Sequence, residues 1–286
     1  MSKAEAKSAA PGLRSVPETM LWTLYSRATA AQRYPEHYPD PRAIEIYESI
    51  DYDYRGSFGL PSSFAALRAR AFDLALEQFL ETADKPVIVN LGEGLETQRF
   101  RVRAPGAVWL SVDLPESIEV RERYIQADGS HKHIAMSALD HRWLEQVPVG
   151  RPVFVSAQGL LMYLQPEDVR GLLRTVAASF RDWTIVFDTV PHWLSRMSVA
   201  VGGIPLTLGY RVPPMPWGVN GLTAKSLLRS WLGSAITVKR LEYPALPGSA
   251  GRIASIWGPR LPGVRFWIPS LLRVAPGSGR GSRGNS

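Results

Sequence analysis

The chain of 286 residues contains no cysteine, which excludes disulfides, thiolate metal sites and cysteine nucleophiles together. That absence suits a reducing compartment, and a cytoplasmic location is expected. No run of about 18 apolar residues occurs, and the first twelve residues lack the apolar stretch of a secretory leader, so a soluble protein without a membrane span is anticipated. Acidic residues are missing after Glu242, whereas Arg252, Arg260, Arg265, Arg273, Arg280 and Arg283 follow it; these six account for most of the net charge of +7. The basicity therefore belongs to a C-terminal tail rather than to a binding face, and no nucleic-acid partner is expected. Histidines and carboxylates with metal-ligand spacing are lacking too, so no metal is expected. His131, His133 and His141 fall in charged stretches and read as solvated.

What is present is ordinary for a folded enzyme: 45% hydrophobic and 21% charged residues, enough for a sizeable core. Residues 1–12 are small and polar and read as disordered. Amphipathic stretches at Met20–Gln32, Ala43–Ile50 and Ser62–Ala83 precede the first strand and form an N-terminal helical cap over residues 13–84. From residue 85 strands and helices alternate. Strands are expected at Val87–Leu91, Val108–Leu114, Ile134–Ser137, Pro152–Ala157, Thr184–Val190, Ala235–Tyr243 and Arg252–Trp257, with helices at Pro166–Phe180 and Leu222–Leu232. This pattern implies an α/β, doubly wound, mostly parallel sheet with an antiparallel last strand. The Rossmann-like domain spans residues 85–274, with a Gly- and Pro-containing insertion at about 191–220. Residues 275–286, rich in Gly, Ser and Arg, read as a flexible basic tail.

Chemistry concentrates in residues 87–113. A buried strand ends at Gly92-Glu93-Gly94, and the next strand ends in Asp113. Glycines at a strand end allow close backbone approach to a ligand, and an acid ending the second strand can accept hydrogen bonds from both ribose hydroxyls. A dinucleotide site would carry a third glycine where Thr97 stands. Glu93 and Glu96 would also repel a pyrophosphate. A nucleoside without phosphates fits better, with S-adenosyl-L-methionine the obvious one.

Six ordered segments then identify a family. They are Pro17–Leu21 with Tyr25–Ala28, Ile50–Asp53, Arg68–Asp73, Val89–Thr97, Val112–Glu116 and Gly159–Leu164. With them the chain resembles the leucine carboxyl methyltransferase superfamily, in its bacterial polyketide O-methyltransferase branch of the tetracenomycin type. The resemblance implies a seven-stranded sheet of the class I S-adenosylmethionine-dependent methyltransferase type. It further implies that Arg68 binds the methionine carboxylate, that Gly92 and Gly94, with Glu93 between them, lie along the methionyl and ribose parts, and that Asp113 takes the ribose hydroxyls. Leu114 would lie beside the adenine, with Ala138 and Leu139 at its edge. The chain departs from the family at Glu96 and Gln98, where Asp and Arg are usual, and at Gln158, where a Glu usually faces the cofactor's charged end. Either Glu93 or Glu96 is expected to supply the missing charge.

Tyr163 and His192 are the candidate catalytic residues: His192 by its place just after a strand end, Tyr163 as a group to orient the acceptor. Met20, Trp22, Tyr25, Trp193, Met197, Met215 and Trp217 provide surface for a bulky, apolar, polyketide-like acceptor. The implied reaction is methyl transfer to a carboxyl or hydroxyl oxygen. Two alternatives stay open: a non-methylating cyclisation or rearrangement that keeps the cofactor, and a non-catalytic binding protein. The sequence leaves the oligomeric state open.

Overall fold

The computed structural model describes residues 8–9, 18–244 and 269–277. Seven strands build one sheet: β1 (Val87–Leu91), β2 (Val108–Asp113), β3 (His131–Ala135), β4 (Val153–Ala157), β5 (Trp183–Thr189), β6 (Ile236–Leu241) and β7 (Ser270–Pro276). Their order is β6-β7-β5-β4-β1-β2-β3. Only β7 runs against its neighbours, pairing antiparallel with both β5 and β6. This is the doubly wound, mostly parallel sheet expected, of the class I S-adenosylmethionine-dependent methyltransferase type. Every residue of β1, β4 and β5 is buried, because helices cover both faces of a parallel sheet.

One face packs against α7 (Pro166–Ser179) and α9 (Ala224–Leu232) through Val169, Leu172, Leu173, Val176 and Leu228. The other packs Ile88, Trp109, Phe154 and Val186 against Phe72, Leu76 and Phe79 of α4 (Phe64–Leu80). Thus α4, which precedes the sheet with the cap helices, also covers the sheet. The cap proper consists of α1 (Thr19–Arg33), α2 (Pro41–Ser49) and α3 (Tyr54–Phe58). Helix α2 starts where it should: Pro41 occupies its first turn, and the Asp40 side chain accepts the Ala43 N–H at 3.0 Å. Leu21, Leu24 and Ala28 of α1 pack with Ala43 and Ile46 of α2. The insertion holds α8 (His192–Ala200) and a short ladder, Ile204–Pro205 with Arg211–Val212. Tyr210 and Val212 join the cap's core, so the insertion folds back onto the cap.

Three expectations need adjustment. The third strand starts at His131 rather than Ile134, and His131 is buried, not solvated. Its partner strand β2 places Trp109 beside it, and its Nε2 lies 2.7 Å from Ser111 Oγ. The final strand expected at Arg252–Trp257 lies outside the described residues. The sheet is completed by β7, which includes Ala275 and Pro276, two residues assigned by composition to the tail. Finally, Ser8–Ala9, within the stretch read as disordered, pair in parallel with Ile50–Asp51; the remainder of residues 1–12, like residues 278–286, lies outside the described residues. Among the described residues no helix is long and apolar enough to cross a membrane.

Burial and the nearby Arg121 cation push His131 down to about 3 from 6.5. Between these values the unfolded chain takes up a proton that the folded one refuses. Stability is therefore full above pH 6.5 and falls by about 1.4 kcal/mol per unit below it on this group's account. The His131→Gln variant, whose amide can still reach Ser111, should lose that slope between about pH 6.5 and 5 in denaturation curves. An unchanged slope would assign the acid lability to other groups.

Candidate active site

Strand order reverses between β1 and β4, which opens a crevice beyond their C-terminal ends, the place where open α/β sheets bind ligands. A cavity of about 460 Å³ lies there. Gly92, Glu93 and Gly94 line it after β1, Asp113 and Leu114 after β2, and Ala138 after β3. Gln158 and Gly159 follow β4, Asp188 ends β5, Arg68 comes from α4, and Met20 and Trp22 from α1. Eight of the nine expected cofactor contacts thus share one wall. The exception is Leu139, which packs on the sheet core and donates its N–H to Ser137 Oγ at 3.2 Å. Of the two expected catalytic residues, Tyr163 lines the cavity. His192 does not. It is exposed at the start of α8, where its N–H donates to Asn220 Oδ1.

Asp113 is held by the loop it faces. Its Oδ2 accepts the Gly94 N–H at 2.7 Å and its Oδ1 accepts the Leu114 N–H at 2.8 Å. Each oxygen keeps a lone pair for a further donor. Burial pushes its pKa up, and these two hydrogen bonds oppose that shift. Gly94 has φ +53°, and a β-carbon there would come within 3.0 Å of Met20 Cβ. The glycine therefore serves the backbone turn and lets cap helix α1 close onto the loop.

Arg68 was expected from the sequence, whereas its partner was not. Its Nη1 lies 3.0 Å from Asp188 Oδ2, and Asp188 Oδ1 accepts the Gly159 N–H at 2.6 Å. The guanidinium approaches Gly159 so closely that a β-carbon there would sit 3.0 Å from Nη1. Arg68 Nε is buried without a hydrogen-bond partner among the described residues. Asp188 had a sequence signal, an acid closing the apolar run of a strand, that went unused.

Glu93 and Glu96 lie in the same loop and face opposite ways. Glu93 turns inward, with a side chain 2% exposed, 3.1 Å from Arg121 Nη2. It accepts from Asn90 Nδ2 at 2.9 Å and from Ser111 Oγ. Its carboxylate therefore anchors the loop from beneath. Glu96 is 11% exposed and lies 3.1 Å from Arg27 and 2.8 Å from Arg101. It also accepts the Thr97 N–H at 2.8 Å, while its second oxygen meets Gln158 Nε2 at 3.2 Å. The two guanidiniums and the Thr97 N–H hold its pKa down to about 2 against burial. Arg101 also clamps Asp73 at 2.8 and 3.0 Å and Asp40 at 2.6 Å.

Comparison with known proteins shows what the chain resembles. The family model described as leucine carboxyl methyltransferase matches residues 29–177. The tetracenomycin polyketide synthesis O-methyltransferase of Streptomyces glaucescens is 34% identical over 190 residues, 65% of this chain and 70% of its own length. An S-adenosyl-L-methionine-dependent methyltransferase of Gibberella zeae is 30% identical over 188 residues, 59% of this chain and 63% of its own. A solved structure from Thermobifida fusca YX, assigned as a methyltransferase, shares the fold with a TM-score of 0.50 at 13% identity. It covers 82% of this chain and 88% of its own.

Arg101 is the most heavily engaged cation in the loop, so removing it strands buried acids. Arg101→Met should lower unfolding free energy by about 3–5 kcal/mol in urea denaturation, the cost of breaking a buried ion pair from one side. A loss below about 1 kcal/mol, the range of an exposed pair, would show that Arg27 alone satisfies them.

Proposed function

The chain belongs to the leucine carboxyl methyltransferase family, and we propose that it transfers a methyl group from S-adenosyl-L-methionine to a carboxylate oxygen of a bulky, apolar, polyketide-like small molecule. When bound, the cofactor supplies an electrophilic methyl group on a sulfonium for in-line displacement by an oxygen. The donor set fits such a group. Asp113, on the cavity wall, would accept hydrogen bonds from the ribose hydroxyls, and Leu114 and Ala138 would lie along the adenine. Arg68, a cation on the same wall, would hold the methionine carboxylate.

The choice of a carboxylate rests on one observation: apart from Asp113, which the cofactor's ribose would occupy, every titratable group of the described cavity wall is already committed or neutral. Asp188 pairs with Arg68, Glu93 with Arg121, and Glu96, held down to about 2, is too weak a base. Tyr163 is pushed up to about 12 by burial and stays a neutral donor. None of the five histidines, His37, His131, His133, His141 and His192, is on that wall, and residues 245–268 contain no histidine or acid. A phenol, with a pKa near 10, would need a base, whereas a carboxylic acid arrives ionised. Orientation is then the protein's main contribution. Met20, Trp22, Met162, Val190 and Met215 provide an apolar wall for the acceptor. The Tyr163 hydroxyl orients it. The non-methylating alternative draws on Glu93 and on the departures at Glu96, Gln98 and Gln158. A carboxylate nevertheless remains beside position 158, because Glu96 touches Gln158.

Asp113→Ala should weaken cofactor binding by about 1.5–3 kcal/mol in calorimetry with the fold intact. Unchanged affinity would remove Asp113 from the ribose role. Incubated with the cofactor and aromatic polycyclic acids, the protein should yield the methyl ester by mass spectrometry, at a rate flat across neutral and mildly alkaline pH. A methylated phenol instead, formed faster as pH rises toward the phenol's own pKa, would overturn the carboxylate assignment.

A further inference from the structure

We propose that the rim of the cavity, built from α8, the insertion's short ladder and residues 57–64, docks on the surface of an anionic lipid bilayer. The first ground is exposed apolar surface gathered in one place. The turn that joins Ile204–Pro205 to Arg211–Val212 lifts Leu208 fully into solvent and leaves Leu206 exposed beside it. Thr207, between them, is fixed to the loop before α4. Its Oγ1 donates to the Ser57 carbonyl at 2.6 Å, and a β-carbon at Gly59 would meet its methyl at 3.5 Å. Leu60, the next residue of that loop, is 76% exposed. Arg211 Nη1 ties the ladder to the end of α8, donating to the Val201 and Gly203 carbonyls at 3.1 and 2.6 Å. There Met197 and Val201, four positions apart and on one face, are exposed too. Single exposed apolar residues are ordinary, whereas several gathered around a cavity mark an interaction surface.

The second ground is continuity with the cavity. Leu194 shares the helix face of Met197 and Val201 and lines the cavity. Leu206 and Phe64 line it as well. The exposed residues therefore carry the cavity's apolar wall outward to solvent. A bilayer resting on this rim would face the acceptor side directly, and an apolar acceptor concentrates in lipid. That last step rests on the acceptor proposed above, whereas the docking itself does not.

The third ground is charge. No acid occurs between Asp188 and Glu242, while Arg196, Arg211, Lys225, Arg229, Lys239 and Arg240 all fall there. The other rim segment is alike: residues 54–72 contain three arginines and no acid. Across residues 189–286 twelve Lys and Arg stand against Glu242 alone, so the imbalance begins well before the tail. Arg196 and Arg211 are exposed next to the apolar residues of the rim. Cations flanking projecting aliphatic side chains match anionic headgroups above an apolar layer. A second copy of the chain would bring like charges together. An acidic protein would need a pocket for each projecting side chain, whereas acyl chains yield to any shape. Docking would be peripheral, since no described helix is long and apolar enough to span a membrane.

Co-sedimentation with vesicles tests this on the full chain, without cofactor or acceptor, so its failure leaves the methyl-transfer reading standing. Vesicles of phosphatidylcholine and phosphatidylglycerol in equal parts should bind the protein, and pure phosphatidylcholine far less, with affinity falling as salt rises. Leu208→Glu should weaken binding by about tenfold or more, the scale of one leucine's burial. Val149→Glu is the matched control, because Val149 is just as exposed but precedes β4, at the opposite end of the strands from the cavity. It should bind as wild type does. No binding by wild type would overturn the proposal. Equal loss in both variants would overturn it by assigning binding to net charge alone. Binding lost on deletion of residues 278–286 yet kept in Leu208→Glu would overturn it in favour of the tail. A dimer in gel filtration that Leu208→Glu converts to monomer, without vesicle binding, would give the rim to a second copy instead.

Discussion

Arg27 crosses from the first cap helix to the glycine loop, where Nη2 donates to the Leu95 carbonyl at 2.7 Å and Nη1 lies 3.1 Å from Glu96. Around it Arg101, Asp40, Asp73 and Thr97 complete a cluster whose charged members come from α1, from the start of α2, from α4 and from the loop after β1. Removing five ionisable groups from water is costly, and their attraction offsets that cost only when each has its partners. The cap and the sheet therefore have little freedom to form separately: either one alone would leave charges buried and unanswered. Much else follows from this join. The loop conformation that aims the Gly94 N–H at Asp113 is held from above by Arg27 and from below by the Arg121–Glu93 pair.

This arrangement divides the cavity by chemistry. The side toward β2 and β3 carries Asp113, Leu114 and Ala138, suited to a nucleoside. The side toward β4 and the cap carries Arg68, Gln158 and Glu96, where charge is concentrated and tightly held. The rest of the wall, from α1 and the insertion, is mostly apolar, with Thr19, Thr23 and Ser26 of α1 as its polar members and the neutral Tyr163 beside it. A protein so built spends its buried charges on gripping and orienting. Apart from Asp113, on the nucleoside side, it keeps no uncommitted base on the described wall, which is why an acceptor that arrives ionised suits it.

Much of this was legible in the sequence, for identifiable reasons. Strands β1, β4 and β5 are apolar runs buried on both faces, and such runs announce themselves. The place of Asp113 on the cavity wall was readable because an acid closing the second strand after a glycine turn lies at the strand end where the crevice opens. His131 was missed because β3 is an edge strand with polar residues, and its burial depends on Ser111 across the sheet, which no local pattern reveals. Arg27 stood in a family segment without a role, since its partners on the glycine loop are 68 to 70 positions away in the chain. The two glutamates of the loop look equivalent in sequence, and only their partners, Arg121 beneath and Arg27 with Arg101 above, separate anchor from wall. His192 was placed by its position after a strand. At the start of α8 it lies on the surface instead.

If the ion cluster joins cap and sheet into one ligand-binding unit, the cap should respond when the nucleoside side is filled. Hydrogen exchange of the amides in α1 and in the loop at residues 92–98, with and without S-adenosylhomocysteine, measures this directly. The account predicts that both segments slow together on binding and that Arg27→Leu uncouples them, leaving protection in the loop alone. Slowing confined to the loop in the wild-type protein, with α1 exchanging at its free rate, would contradict it.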